Sequence, residues 1–62
     1  MKVTPGARVV LLRPIHDASG AVVELAGRRG VVKRSTRAVV IVVFEGGRTI
    51  PVKLELLGND QS

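Results

Sequence analysis

The run Val39-Val40-Ile41-Val42-Val43-Phe44 constrains this chain more than any other feature. Five of its six residues are β-branched and the sixth is aromatic, a composition that favours pleated backbone. Glu45-Gly46-Gly47-Arg48 follows it, a Gly-Gly pair of the kind that closes a hairpin. Thr49-Ile50-Pro51-Val52 then resumes the apolar pattern, with Pro51 marking an edge or a strand end. A half-buried strand alternates apolar and polar residues, but this run is apolar at both parities. One set, either Val39, Ile41 and Val43 or Val40, Val42 and Phe44, fills the core, and the other must be covered.

The remaining segments repeat the theme at short spacing. Pro5-Gly6 is a turn signal, and Arg8-Val9-Val10-Leu11-Leu12 reads as the first strand, stopped by Arg13-Pro14. Ile15 to Gly20 reads as a polar loop. Ala21-Val22-Val23-Glu24-Leu25 is either one arm of a long first hairpin or a brief helical turn. Ala26-Gly27-Arg28-Arg29-Gly30 reads as a tight turn, Val31-Val32-Lys33-Arg34 as the next strand, and Lys53 to Leu57 as the closing segment. Residues 58–62 are a polar tail expected to fray. Short strands joined by Gly-rich turns predict an all-β domain, a small five-stranded SH3-like barrel, with Val31, Ile41 or its strand neighbours, and Leu56 inside.

Composition then removes whole classes of function. The 62 residues make one domain, 1–62. There is no Cys and a single His, so neither a disulfide nor a protein-built metal site is expected, and no cofactor is implied. Twelve Val stand against one Phe, no Tyr and no Trp. That shortage excludes aromatic grooves for proline peptides, methyl-lysine cages and base-stacking platforms built by one chain. No stretch is apolar for long enough to span a membrane and no signal-peptide core is evident, so a cytoplasmic protein with no membrane partner is expected. Ten basic residues against five acidic ones give a net charge of +5, which points to an anionic partner.

Pro5-Gly6-Ala7-Arg8-Val9-Val10 followed by Gly27-Arg28-Arg29-Gly30-Val31-Val32 resembles the KOW and Tudor-like group of SH3-like barrels. Members read "pGxxV", then a loop, then "GxxGxV", then an apolar strand, a Gly turn and a short apolar segment. Val39 to Phe44, Gly46-Gly47 and Val52 to Leu57 stand in those places. The loop from Ile15 to Leu25 is longer than the group's usual one. The resemblance implies a KOW-type barrel over residues 5–57. It implies a nucleic-acid or protein partner; accessory subunits of photosynthetic and redox complexes, which bind proteins, look similar at this level.

Four features are candidates for function. Arg28, Arg29, Lys33, Arg34 and Arg37 place five cations in ten residues with no acid among them. They are expected to converge on a rim that contacts the phosphates of RNA or DNA, or else to be a solvated hairpin kept soluble by charge. The second apolar set of the central strand, taken as Val40, Val42 and Phe44, is expected to meet a protein partner or a second copy, unless the tail or the long loop covers it. His16-Asp17 offers no nucleophile and its side chains diverge if extended, so no catalytic residue and no small-molecule substrate are assigned. Gly27 and Gly30 lack the Gly-Lys-Ser/Thr continuation of a phosphate loop and are read as turn residues. The expected function is a non-enzymatic module contacting nucleic-acid phosphates. The alternative is an accessory subunit that assembles through its valine-rich face.

Overall fold

The computed structural model describes residues 3–60. It is all-β apart from one 3-10 turn. The strands are β1 Arg8–Leu11, β2 Ile15–His16, β3 Val22–Glu24, β4 Arg29–Ser35, β5 Val40–Phe44 and β6 Thr49–Val52; the 3-10 turn Leu54–Leu56 then leads into β7 Leu57–Asn59. Five strands form one antiparallel sheet in the order β6-β5-β4-β1-β7, and β2 and β3 pair as a separate two-stranded ribbon.

Local chemistry accounts for most of the connections. The β5–β6 hairpin turns at Gly46 and Gly47, with φ of +91° and +86°, values that residues with a Cβ rarely adopt. Asp17 organises the β2–β3 turn by accepting hydrogen bonds from the Ser19 hydroxyl (2.6 Å), the Ser19 N–H (2.9 Å) and the Ala21 N–H (3.1 Å). The Ser19 hydroxyl, against desolvation and aided by the backbone amides of Ala21, Ser19 and Gly20, holds the Asp17 carboxyl below its ordinary pKa. Thr36 shapes the β4–β5 turn, its hydroxyl bonding to the Val39 carbonyl and to the Ala38 and Val39 amides.

The core is a single apolar cluster of Val9, Leu11, Val32, Val40, Val42, Phe44, Ile50, Val52 and Leu57. Period-2 alternation turns Val9 and Leu11 inward from β1, Val32 from β4, three residues from β5 and two from β6. Gly30 sits on the same inward face between Val9 and Phe44. A Cβ there would stand 2.5 Å from Val42 Cγ1 and 3.2 Å from Phe44 Cδ1, so the missing side chain is the space those two residues fill.

Four sequence expectations are corrected here. Val40, Val42 and Phe44, expected at a protein interface, are core residues at 3%, 0% and 2% exposure, and the outward set of the run Val39–Phe44 is Val39, Ile41 and Val43. Val31 and Leu56, expected inside, are respectively exposed and half-buried, while their neighbours Val32 and Leu57 are buried. The reason is parity: β4 begins at Arg29, and a one-residue shift in counting reverses every side chain. Gly58 and Asn59, expected in a frayed tail, belong to β7 and pair with Val10 and Val9; residues 61–62 of that tail lie outside the described residues. The segment from Ile15, expected as a loop, contributes β2, which pairs with β3, so the hairpin alternative for Ala21–Leu25 is the one found.

Candidate functional site

The outward face of the five-stranded sheet is assembled from residues distant in sequence. In one row Arg8 of β1 pairs with Val31 of β4, Val31 with Val43 of β5, and Val43 with Thr49 of β6. In the row before it Val10 pairs with Arg29 on one side and Gly58 on the other. In the row beyond, Arg34 pairs with Ile41 and Ile41 with Pro51. Between Val32 and Arg34 the register slips by one residue, leaving Lys33 without a ladder partner. A bulge of this kind re-aims side chains; here Lys33 and Arg34 are both exposed. Arg29, Lys33 and Arg34 therefore lie along one strand beside Arg8, and Arg37 stands in the turn that follows β4. At 3.3 Å per residue the span from Arg29 to Arg34 is about 16 Å.

Arg28, grouped with these residues by sequence, is used elsewhere. Its Nε donates to Glu24 Oε1 at 3.0 Å, and the Leu25 amide donates to the same oxygen at 3.1 Å. Glu24 is 4% exposed, and its Oε2 has no partner among the described residues. Desolvation opposes its charge, but the Leu25 amide, the Arg28 hydrogen bond and the charges of Arg28 and Arg48 outweigh it and hold the carboxyl below its ordinary pKa. Arg28 thus ties β3 to the start of β4. Arg13 and Lys53 line a separate cleft beside His16 and Glu55 and add nothing to the sheet face. Asp17 spends its acceptors on its own turn rather than on His16.

Arg29 is 69% exposed at its side chain and lies 3.7 Å from Asp60 Oδ2, an ion pair that solvent weakens. Its amide donates to Glu45 Oε1 at 3.3 Å. Among the described residues Arg8, Lys33, Arg34 and Arg37 form no ion pair. Of the five cations expected at a phosphate-contacting rim, then, the structure brings Arg29, Lys33 and Arg34 onto one face, puts Arg37 at its end and withdraws Arg28. Arg8 is the residue sequence reasoning missed. Alternation along β1 puts Arg8 and Val10 on one face, but nothing local says that β1 lies beside β4.

A shallow cleft of about 410 Å³ opens on this face, lined in part by Arg8, Arg29, Val31, Val43, Glu45 and Asp60. Among the described residues no group of three or more His, Asp or Glu side chains is placed to hold a metal ion, and no helix is long and apolar enough to cross a membrane. No protein-family model, curated protein or solved structure matches the chain.

Proposed function

We propose that this protein is a non-enzymatic binding module that holds the phosphate backbone of RNA or DNA on the outward face of its five-stranded sheet. We read the sheet as a small SH3-like barrel of the KOW and Tudor-like kind. What supports that architecture is a chain of short antiparallel strands in which β1 lies between β4 and the last strand, reached through a single 3-10 turn. What carries the functional reading is one observation, the convergence of Arg8, Arg29, Lys33 and Arg34 from two adjacent strands onto one face. Guanidinium groups take phosphates through paired N–H donors, and a flat sheet face presents them along a line. The backbone of a duplex carries one charge per strand for each 3.4 Å of rise, so about 16 Å of β4 runs alongside roughly five phosphates.

Fluorescence anisotropy against mixed-sequence single strands and duplexes, over a range of salt, tests the reading. If Arg8, Arg29, Lys33, Arg34 and Arg37 each neutralise one phosphate, the log–log slope is about −3.5 on single strands and about −4.5 on duplex. Changing Arg8 and Arg34 together to Ala flattens it by about 1.4 and about 1.8 respectively. Arg28→Ala leaves the slope unchanged, because that guanidinium is held by Glu24. Absence of binding to either probe at low salt defeats the reading.

A second reading rests on the outward apolar residues. Val39, Ile41 and Val43 are half-buried and Val31 is 44% exposed, a stripe able to meet a second copy or a protein partner in an accessory-subunit role. Light scattering that finds a monomer at about 0.1 mM removes self-assembly, since stable interfaces are far tighter than that.

A further inference from the structure

Val31 is the odd residue on the cationic face. Along β4 it stands between Arg29 and the Lys33-Arg34 pair, and across the ladder it meets Arg8 on one side and Val43 on the other. Cations surround it on three sides, and the fourth opens over Val43 into the cleft of about 410 Å³. A duplex backbone laid across this ring presses charged oxygens against the isopropyl groups of exposed Val31 and half-buried Val43, which removes water from phosphate without replacing its hydrogen bonds. A single strand alternates charged backbone with flat, weakly polar bases and meets both surfaces on their own terms.

Two carboxylates at the rim narrow the choice. Glu45 and Asp60 line the same cleft, beside Arg29. Ionised carboxylates only accept hydrogen bonds; they repel a phosphate but suit the amino edge of a base. Cytosine N4 and adenine N6 carry amino donors, whereas an unpaired thymine has no amino group and its one ring donor, N3–H, lies between the O2 and O4 acceptors, which repel a carboxylate.

We propose, resting on the backbone-binding reading above, that the cleft seats one unpaired, amino-bearing base of a single strand. The base face lies on Val31 and Val43, its amino group points toward Glu45 or Asp60, and the flanking phosphates engage Arg8, Arg29 and Arg34. Oligo-dC and oligo-dT of equal length carry equal charge, so any difference between them comes from the base.

Anisotropy titrations near neutral pH use labelled oligo-dC, oligo-dT and a mixed-sequence hairpin duplex. Oligo-dC binds about three- to tenfold tighter than oligo-dT, the scale of one net hydrogen bond. Val31→Thr, a change at an exposed strand position that keeps the branched shape, weakens both single strands and leaves the duplex unchanged. The double variant Glu45→Ala/Asp60→Ala strengthens binding to oligo-dT and to the duplex, since two negative charges are gone, and brings oligo-dC and oligo-dT to parity. Oligo-dT binding as tightly as oligo-dC to the unaltered protein, or Val31→Thr weakening duplex and single strands alike, overturns this inference while leaving backbone binding in place. No salt-dependent binding to any probe overturns both.

Discussion

Replacing Gly30 by Ala tests the packing on which the sheet face rests. The added Cβ stands 2.5 Å from Val42 Cγ1, 2.9 Å from the Val43 carbonyl oxygen and 3.2 Å from Phe44 Cδ1. Ordinary carbon contacts lie at about 3.5–4.0 Å, so Val42 must retreat by about 1 Å. It has little room to do so: Val42 is fully buried, and a β-branched side chain has little χ1 freedom. The Val43 oxygen is backbone in the neighbouring strand, so β5 itself has to shift. Overpacking of this kind costs about 1–3 kcal/mol, against which the alanine recovers about 0.4–1 kcal/mol by restricting the unfolded chain. A net loss near 1.3 kcal/mol is a large fraction of the roughly 3–9 kcal/mol expected for a domain of this length. It lowers Tm by roughly 5–10 °C. Thermal and urea melts followed by far-UV circular dichroism read this directly, with an unchanged urea m-value marking a loss of stability rather than of compactness. Gly58→Ala is the control. There the Cβ meets only side-chain atoms, the nearest being Leu12 Cδ2 at 3.0 Å, and Leu12 is 55% exposed and free to turn away. Its effect stays within about 0.5 kcal/mol. Val42→Ala in the Gly30→Ala background opens the missing space, so the double variant loses less than the sum of the two single changes. Equal melting of Gly30→Ala and the unaltered protein, or strict additivity with Val42→Ala, refutes the close approach of β4 and β5.

Phe44→Ala removes the only aromatic side chain from the core and costs about 3–5 kcal/mol, half or more of the stability at the middle of the range expected for this domain; chemical melts measure it. Arg28→Ala leaves the Glu24 carboxylate buried without its ion partner, so it lowers Tm even though Arg28 is a surface cation by sequence, and a Tm unchanged from the parent protein contradicts the pairing. Glu24 and Asp17 have folded-state pKa values below their ordinary ones. The stability they contribute is complete above their unfolded values and is lost as pH falls through the folded ones. Melts between neutral and acidic pH therefore show a fall in Tm on acidification, and Glu24→Gln makes that fall shallower. An identical pH profile in the variant rules out the carboxylate as its source.

Much of the strand layout is legible locally. The Gly46-Gly47 turn, the strands on either side of it and the apolar run of β1 are written in short-range chemistry, because glycines permit positive φ and β-branched residues prefer extended backbone. The same holds for the presence of a dense group of cations between residues 28 and 37. What local pattern does not carry is parity. In Val39 to Phe44 both faces are apolar, so alternation gives no sign of which set turns inward. Pairing with β4 decides it, where Gly30 leaves room for Phe44 and Val42 on one face only.

The candidate face divides along the same line. Arg28 and Arg29 are neighbours in sequence and equal in charge. Only the tertiary structure sends the first to Glu24, below the start of β4, and the second to the outer face beside Asp60. Arg8 joins Arg29 because the β1–β4 ladder brings together residues about twenty positions apart, and Lys33 shares the exposed surface with Arg34 because the register slips between Val32 and Arg34. Charge, the shortage of aromatics and the extended backbone are properties of the residues themselves and survive any arrangement. The grouping of those charges around Val31 is a property of strand pairing, which long-range hydrogen bonds and one absent side chain decide.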